Sequence, residues 1–263
     1  MRHPISVTII TLNEEKDLPR ALASAAWADE IVVIDSGSTD RTVELAKAAG
    51  ARVIHNPWPG YGKQKNFAQA QAKHDWVLNI DADEEITPEL RREIESVLDV
   101  GNRNDVGTGT KPSPHSINGY LIPRKTFYLG RWIRHGGWYP NYLVRLVNRT
   151  QAQWTEPEVH ETLMVYGPTG TLREHLNHYT FRGIEDQVST NVRYARYGSI
   201  ELAKRGVRGG LARLLLKPWG KFLETYLWKK GCLDGFPGLI ISINAAYSVF
   251  LKYAFLWEKR RNA

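Results

Sequence analysis

Short apolar runs alternate with amphipathic segments through the first hundred residues. Four runs are short, apolar and rich in β-branched residues, which predicts buried strands at Ile5–Leu12, Glu30–Asp35, Arg52–His55 and Trp76–Ile80. The segments between them show helical spacing, which predicts helices over Leu18–Ala25, Arg41–Ala49 and Lys63–Lys73. A further helix is predicted after Thr87, with that residue as N-cap and Pro88 at the first position. Repeated strand–helix units predict an α/β fold with a mostly parallel sheet and helices on both faces.

The alternation ends at residues 101–118, which lack apolar periodicity and are rich in Gly, Pro, Ser, Thr and Asn. We therefore expect a surface loop or insertion there. Short strands are predicted after it, at Tyr120–Pro123 and Tyr142–Val147, with aromatic loops between them. From Ile184 onward the pattern is helical.

Two apolar stretches stand out in the helical last third. Leu211–Lys230 combines helical apolar spacing with mostly basic charges, which is typical of an interfacial amphipathic helix, and Pro218 predicts a kink. Gly238–Trp257 is as long as a membrane-spanning helix, at about 20 residues, but it carries polar residues at mid-length. We favour a helix lying in the membrane plane or packed on the rest of the chain. An ordinary amphipathic helix without a membrane role stays an alternative.

Charge is distributed unevenly along the 263 residues. The net charge is +7, with +9 in residues 182–263 and −2 in residues 1–181. A basic segment rich in aromatic residues favours an anionic surface, such as a membrane, a nucleic acid or a phosphorylated lipid. The single cysteine, Cys232, excludes an intrachain disulfide framework and fits a reducing compartment. The opening MRHPISVTII breaks into TLNEE, so we expect no signal peptide.

Polar residues follow each of the four predicted strands. They are Thr11–Glu14, Asp35–Asp40, Gly60–Lys63 and Asp81–Asp83. In an open α/β sheet, ligands bind at the carboxyl ends of the strands, so these segments predict one ligand site at one edge. Each segment taken alone is also explained as a turn or a helix cap.

Asp81 and Asp83 form the sharpest of these segments. Alternate residues of an extended segment point the same way, so two carboxylates can approach one cation. Carboxylate oxygens suit Mg²⁺ or Mn²⁺, which keep waters and bind substrate phosphates. The alternative is a charged loop that begins a helix.

Four segments together carry a family resemblance. ISVTIITLNEE, EIVVIDSGSTDRT, GYGKQKNFA and DWVLNIDADE resemble, in order and spacing, the nucleotide-sugar domain of family 2 glycosyltransferases, which have the GT-A fold. Downstream, GWYPNYLVRLVNR, VHETL, LNHYTF, KKGCLDGFPGL and FLKYAFLWE resemble the branch of bacterial lipopolysaccharide-core glucosyltransferases. The resemblance covers nearly the whole chain apart from residues 101–118.

The resemblance implies transfer of a sugar from a nucleoside diphosphate with inversion at the anomeric carbon. The residues that would hold the donor are Thr11, Leu12, Asn13, Glu14, Asp35, Asp40, Lys63, Asn66 and Asp81. Among them, Asp35 would accept from the uracil imide N–H and Lys63 would lie near the diphosphate or the sugar. Asp81 would face the ribose or a metal-bound water. Asp83 would ligate Mg²⁺ or Mn²⁺, which stabilises charge on the departing diphosphate.

A single displacement also needs a base near the acceptor hydroxyl. The segment WTEPEVHE offers three carboxylates and a histidine, and the resemblance singles out Val-His-Glu. We therefore expect Glu161 to be the base, with Glu158 as the second candidate. His160 would complete the metal shell or orient the base. A solvated acidic loop is the plain alternative.

The acceptor side is expected in an aromatic and basic stretch. Arg134, Trp138 and Arg145 are its candidate contacts, since arginine pairs with phosphate or carboxylate and flat aromatic rings stack on sugars. A core role for Trp138 is the alternative. His178 is either a metal or diphosphate contact or a structural histidine.

We thus expect a catalytic GT-A domain over residues 1–181, made of a nucleotide-sugar half (1–100), the loop (101–118) and an acceptor half (119–181). Residues 182–263 form a basic amphipathic tail that associates with an anionic membrane. The expected protein is peripheral at the cytoplasmic face of the bacterial inner membrane. It would transfer glucose from UDP-glucose to a lipid-linked core oligosaccharide, without a nucleic-acid partner.

Two other functions stay open. One is transfer of another sugar to a polyprenol or surface-polysaccharide acceptor. The other is a non-catalytic membrane or nucleic-acid binding module, which the basic tail alone allows but which needs neither the DAD nor the VHE segment.

Overall fold

A computed structural model describes residues 1–99, 117–156, 161–207 and 210–261. The chain divides into two compact units. The first comprises Met1–Arg124 and Tyr142–His178, and the second comprises Lys125–Asn141 and Tyr179–Ala263. The sequence placed one boundary near residue 181, whereas the structure also groups Lys125–Asn141 with the C-terminal helices. Of the expected loop at 101–118, all but the last two residues lie outside the described part of the chain.

Strands and helices alternate in the first unit as the sequence predicts. The strands are β1 (Ile5–Thr11), β2 (Glu30–Asp35), β3 (Arg52–His55), β4 (Trp76–Asp81), β5 (Glu84–Ile86), β6 (Gly119–Tyr128), β7 (Arg131–Trp132), β8 (Asn141–Asn148), β9 (Ala152–Trp154), β10 (Leu163–Val165), β11 (Thr169–Thr171) and β12 (Leu176–His178). The helices are α1 (Leu18–Ala25), α2 (Thr42–Ala48), α3 (Tyr61–Gln71), α4 (Pro88–Val97), α5 (Ile184–Lys204), α6 (Leu211–Leu223) and α7 (Gly235–Arg261). Shorter helical turns lie at Arg149–Gln151, Glu224–Trp228 and Gly231–Asp234. The predicted α/β class is confirmed.

The sheet has the order β3-β2-β1-β4-β8-β6-β12-β5, with β7 and β11 attached to β6. Strands β1 to β4 run parallel, whereas β8 pairs with β4 in the antiparallel sense. The register sets Thr11 beside Asp35 and Ile10 beside Asp81. The polar segments after β1, β2 and β4 therefore meet at the same edge of the sheet, as expected for parallel strands.

The core of the first unit explains why its strands read as continuous apolar runs. The consecutive residues Val32, Val33 and Ile34 of β2 are fully buried, and so are Leu18 of α1 and Leu90 of α4. Parallel strands covered by helices on both faces need apolar residues at successive positions rather than at every second one. At the start of α4 the hydroxyl of the predicted N-cap, Thr87, accepts a hydrogen bond from the N–H of Leu90 at 3.1 Å.

Strand β6 is longer than predicted, and helix α6 is not interrupted at Pro218. Strand β6 continues five residues beyond Pro123, where sequence reasoning ended it. Helix α6 continues through Pro218, and the departure from α-helical geometry is the π-helical turn Glu224–Trp228 that follows it. One helical stretch of the described residues, Gly231–Lys259, is long and apolar enough to cross a membrane, by length and composition alone.

The second unit is organised around one buried carboxylate. Asp234 is 1% exposed, and its side chain accepts hydrogen bonds from the backbone N–H groups of Arg134 and His135 at 3.1 and 2.7 Å. The ring Nδ1 of His135 lies 3.2 Å from the same carboxylate, and Arg131 donates to the Asp234 carbonyl at 2.9 Å. The segment Arg131–His135 is thereby fixed to the turn that precedes α7.

Close backbone approach sets the start of α7. A Cβ on Gly238 would lie 1.9 Å from the carbonyl oxygen of Gly231, so only glycine allows the first turn of α7 to rest on the preceding turn. This explains part of the glycine-rich KKGCLDGFPGL segment. From there α7 packs against both α5 and α6.

We predict that Asp234→Ala lowers the free energy of unfolding by roughly 2–4 kcal/mol, since each buried donor left unsatisfied costs roughly 1–3 kcal/mol. Urea unfolding followed by tryptophan fluorescence measures it. Asp186→Ala, at an exposed aspartate in the first turn of α5, is the matched control and should change stability little. Equal stabilities for the two variants would contradict the role given to Asp234.

Candidate active site

The ends of β1 and β2 are joined by the side chain of Asp35. This carboxylate is 4% exposed and accepts hydrogen bonds from the backbone N–H groups of Gly37 and Ser38 at 2.9 and 3.0 Å. The hydroxyls of Ser38 and Thr11 also donate to it. Asp35 therefore shapes the turn after β2, and the uracil contact expected for it stays a prediction.

The segment after β1 is held against the segment after β2. Asn13 adopts a left-handed conformation at φ 58°, its N–H donates to the Ser38 hydroxyl, and its side-chain oxygen accepts from the N–H of Thr39. The N–H of Glu14 donates to the hydroxyl of Thr42, while Leu12 stays 47% exposed. The two segments thus form one rigid rim.

Asp40 lies at the start of α2 in this rim. Partial burial would raise the pKa of this carboxyl, but hydrogen bonds from the Thr42 hydroxyl and N–H outweigh it and lower the pKa. Its other oxygen accepts from the N–H of Glu15 at 3.2 Å. Asp40 therefore stays ionised and holds Thr42, the first residue of α2, and its expected donor contact stays a prediction.

A glycine brings α3 close to the chain segment that precedes the candidate base. A Cβ on Gly62 would lie 2.1 Å from the carbonyl oxygen of Thr155, so only glycine permits this approach. Asn66, one turn later, donates to the Trp154 carbonyl at 2.9 Å and accepts from its N–H at 2.8 Å. Asn66 thus fixes β9, and its expected donor contact stays a prediction.

Two lysines of α3 have different environments. Lys63 is exposed, whereas Lys65 is 8% exposed and lies on the buried face with Gln64 and Ala68. Residues two apart on an α-helix point in nearly opposite directions, so only one of them can face the site. The Nζ of Lys65 lies 3.2 Å from Asp81 Oδ1 and 3.1 Å from Glu161 Oε1. The expected diphosphate contact of Lys63 stays a prediction, and Lys65 is the lysine that the sequence reasoning missed.

Asp81 lies between two cations. Its second oxygen accepts from Arg145 at 2.6 Å, and the same guanidinium nitrogen lies 2.6 Å from Glu84. Glu84 is fully buried and also pairs with Arg124 at 3.2 Å. Three carboxylates and three cations therefore form one balanced cluster, with Glu161 and Lys65 as the remaining members.

This cluster shifts the pKa of two of its members, Asp81 and Arg145. Burial alone would raise the pKa of Asp81, but Arg145 and Lys65 outweigh it and hold the pKa well below its usual range. Burial would likewise lower the pKa of Arg145, but Asp81 and Glu84 raise it. Arg145 is 3% exposed, and its guanidinium is paired with both of these carboxylates. The structure thus gives Arg145 an internal pairing role, and the acceptor contact expected for it stays a prediction.

Asp83 points to a different partner from Asp81. Its Oδ2 lies 3.2 Å from Nε2 of His178, which β12 places opposite Glu84 of β5. Two ligands in adjacent positions of an octahedral Mg²⁺ ion, each at about 2.1 Å, lie roughly 3 Å apart. A carboxylate and an imidazole at this spacing fit a divalent cation and leave positions for phosphate oxygens and water. Asp83 and His178 are therefore the residues of this site that fit a metal.

The second candidate base and one expected metal ligand fall outside the described part of the chain. Glu158 and His160 lie in the segment 157–160, which the structure does not describe. Within the described residues, no group of three or more His, Cys, Asp or Glu side chains is arranged to hold a metal ion. Glu161 is described, two residues before β10, and its contact with Lys65 places it in the charged cluster.

The remaining expected acceptor residues belong to the second unit. Arg134 is exposed, and its backbone N–H is held by Asp234. Trp138 is half-buried, with its ring centroid 5.6 Å from that of Tyr128 and 6.1 Å from that of Phe181. Trp138 therefore contributes to the apolar cluster of this unit, and sugar stacking by it stays a prediction.

Sequence reasoning missed Lys65, Glu84, Arg124 and Asp234. Lys65 had a detectable signal, because it falls on the same helical face as Gln64 and Ala68, and a cation on a buried face requires a carboxylate. Glu84 follows DAD directly, but the pattern does not say which of the two consecutive glutamates points inward. Arg124 and Asp234 carry no local signal, since their partners are 40 and about 100 residues away in the chain.

Comparison with known proteins gives the chain clear relatives. The family model described as glycosyl transferase family 2 matches residues 6–160. An uncharacterized glycosyltransferase of Rickettsia typhi is 33% identical, covering 98% of this chain and 89% of the relative. The lipopolysaccharide core biosynthesis glycosyltransferase LpsC of Rhizobium meliloti is 29% identical, covering 97% of this chain and 93% of the relative.

Solved structures are also similar. S. aureus TarS in complex with UDP-GlcNAc is 16% identical, with a TM-score of 0.49, over 98% of this chain and 92% of that chain. Mycobacterium tuberculosis glucosyl-3-phosphoglycerate synthase, in complex with Mn²⁺, UDP-glucose and phosphoglyceric acid, is 29% identical. Its TM-score is 0.34, over 49% of this chain and 45% of that chain.

We predict that Lys65→Met lowers the free energy of unfolding at pH 7 by roughly 2–4 kcal/mol, because it leaves Asp81 and Glu161 facing each other without their shared cation. The lowered pKa of Asp81 contributes stability above the ordinary aspartate pKa of about 3.9, and that stability is lost as the pH falls through the folded-state pKa. The difference between variant and parent should therefore shrink below about pH 4.

The matched control is Lys63→Met, which makes the same change on the exposed side of α3. Urea unfolding of both variants at pH 7 measures the effect, and a series of lower pH values follows its decrease. Equal losses for the two lysines at pH 7 would contradict the cluster.

Proposed function

Because the chain belongs to glycosyl transferase family 2 and is a glycosyltransferase of GT-A fold, we propose that it transfers a sugar from a nucleoside diphosphate. The proposed acceptor is a lipopolysaccharide inner core, and the transfer inverts the anomeric carbon. The observation that carries the proposal is the DAD segment at the end of β4, with Asp81 in the charged cluster and Asp83 against His178. Near-full-length similarity to a lipopolysaccharide core glycosyltransferase supports the acceptor class.

Asp83 and His178 would hold a divalent cation, Mg²⁺ or Mn²⁺. Such an ion, when bound, acts as a Lewis acid on the leaving diphosphate. Asp81 serves the site differently, since both of its oxygens pair with cations. It keeps Lys65 and Arg145 in place at the strand end, and the contact with the ribose or with a metal-bound water expected of Asp81 remains part of the proposal.

Glu161 is the proposed base. Lys65 pairs with one of its oxygens, which orients the carboxylate, while the other oxygen accepts the proton of the acceptor hydroxyl. The proton leaves the attacking hydroxyl as the new glycosidic bond forms on the face opposite the departing diphosphate. Glu158 remains the second candidate, and His160 an additional ligand or an orienting group.

The rim formed by residues 11–14, Asp35 and Asp40 is the proposed nucleotide site. Its backbone is held by side-chain hydrogen bonds, so it presents a preformed surface to the base and ribose. UDP-glucose is the proposed donor, on the resemblance to the glucosyltransferase branch. Arg134 and Trp138 of the second unit are the proposed acceptor contacts, suited to phosphate and to sugar rings respectively.

We also place the protein at the inner face of the bacterial inner membrane. Among the described residues, 13 of the 24 exposed large hydrophobic side chains lie between Leu211 and Trp257. The same third of the chain carries the +9 charge. Exposed apolar side chains interspersed with lysines and arginines support peripheral binding to anionic lipid.

We predict that Asp83→Asn retains the fold and loses turnover, because it removes a charged ligand at the strand end. Release of UDP from UDP-glucose, measured across a Mn²⁺ titration, reports the loss. Asp75→Asn is the matched control, since Asp75 lies before the opposite end of β4 and is 65% exposed. Full activity of Asp83→Asn without added metal would refute the assignment.

We predict that Glu161→Gln lowers the rate of sugar transfer by roughly 10²–10⁴, since the amide cannot accept the hydroxyl proton. Donor affinity should stay unchanged, which calorimetric titration with UDP measures beside single-turnover transfer. Glu158→Gln is the comparison variant. An active Glu161→Gln together with an inactive Glu158→Gln would show that the base is Glu158.

A further inference from the structure

An apolar cavity of about 410 Å³ lies between α6 and α7. Helix α6 contributes Leu214, Pro218 and Phe222, spaced four residues apart along one face, and α7 contributes Ile243, Ala246 and Phe250. Every residue that lines the cavity is apolar. The volume falls in the range of about 300–1,000 Å³ typical of small-ligand sites.

The dimensions of this cavity match a hydrocarbon chain. The lining face of α6 runs over nine residues, from Leu214 to Phe222, and eight steps of 1.5 Å make it about 12 Å long. One leaflet of a bilayer, half of the roughly 30 Å hydrocarbon core, is about as deep as this groove is long. A single acyl chain is therefore an occupant of suitable length and polarity.

The mouth of the cavity opens onto exposed apolar surface. Leu215 and Trp219 at its edge are 52% and 68% exposed, and Ile243 on the facing helix is 53% exposed. On α6 the neighbouring Leu216 and Leu223 are 69% and 49% exposed. A contiguous apolar surface of this kind is a mark of a binding surface, and lipid would cover both the surface and the cavity.

Charge next to the cavity selects the kind of lipid. Arg213, Lys217 and Lys221 each precede a lining residue of α6 by one position, so their stripe runs beside the apolar face, about 100° around the helix. The neighbouring acid, Glu224, is already paired with Lys221 and Lys229. The edge of the cavity therefore carries net positive charge, which complements an anionic headgroup and not a neutral one.

We propose that the cavity between α6 and α7 takes one acyl chain of an anionic phospholipid from the membrane, while the basic stripe of α6 binds its headgroup. The proposal rests on the membrane association proposed above and deepens it, because it turns a general affinity for an anionic surface into one defined lipid site. It predicts one tightly bound chain per protein and a dependence on chain length.

Alkyl phosphates below their micelle concentration test the site without a bilayer. Calorimetric titration of the full chain should give one bound dodecyl phosphate per protein, and two methylenes fewer should weaken binding by roughly tenfold. Ala246→Phe fills the cavity and should weaken binding by at least tenfold, with Ala246→Val intermediate. Ala212→Phe, at an exposed position of α6 that does not line the cavity, is the matched control and should bind like the parent.

Vesicles test the source of the chain. The parent should co-sediment with vesicles of phosphatidylcholine and phosphatidylglycerol more than with phosphatidylcholine alone, Ala246→Phe should lose part of this binding, and Lys217→Glu should lose the preference for anionic lipid. Vesicle binding that is the same for Ala246→Phe and for the parent overturns the lipid site but leaves the membrane association standing. Absence of vesicle binding by the parent overturns both.

Two further outcomes overturn the site. Many alkyl phosphates bound per protein would mean adsorption to the exposed surface, and a concentration-dependent dimer that Ala246→Phe abolishes would mean that a second copy covers the cavity. Release of UDP from UDP-glucose serves as the separate readout of the catalytic proposal. Its retention in Ala246→Phe, with circular dichroism like that of the parent, keeps the two proposals distinguishable.

Discussion

The first unit depends on ion pairs that balance several charged side chains at the end of β4. Asp81, Glu84 and Glu161 meet Lys65, Arg124 and Arg145, and no carboxylate of this cluster lacks a cation within 3.2 Å. A buried charge without its partner is costly, so each member is held in place by the others. The two aspartates of the DAD segment therefore have different partners. Both oxygens of Asp81 pair with cations of the cluster, while Asp83, two residues on, faces His178.

The backbone around the cluster is arranged by residues that touch no charge. Gly62 lets α3 approach Thr155, and Asn66 secures the strand that carries Trp154. Together they position the segment leading to Glu161 against the buried face of α3. There the Nζ of Lys65 lies 3.1 Å from Oε1 of Glu161. Gly62 of the GYGKQKNFA segment thus has a packing role, and the position of the charged cluster depends on it.

The second unit meets a different requirement. Its interior is secured by one carboxylate, Asp234, and by the close approach of Gly238 to Gly231, whereas much of the surface of α6 and α7 is apolar. Apolar surface of this extent is unfavourable in water, and lysines and arginines lie among its apolar side chains. The basic charge of the last third and the exposed leucines and tryptophans therefore lie in the same part of the chain.

The sequence by itself determined the α/β class, the first four strands and their order along the chain, and the family, because apolar periodicity and short motifs are local properties. It also placed the DAD segment at a strand end, since a strand boundary is readable from a few residues. Only the tertiary structure decided which polar residues pair. Lys65 belongs to the cluster and Lys63 does not, because only Lys65 lies on the side of α3 that faces Glu161. Arg145 pairs inside the site, and His178 reaches Asp83, through contacts 64 and 95 residues apart in the chain. Asp234 holds Arg134 and His135 in the same way. Such pairings follow from strand order and packing, which no local pattern of residues contains.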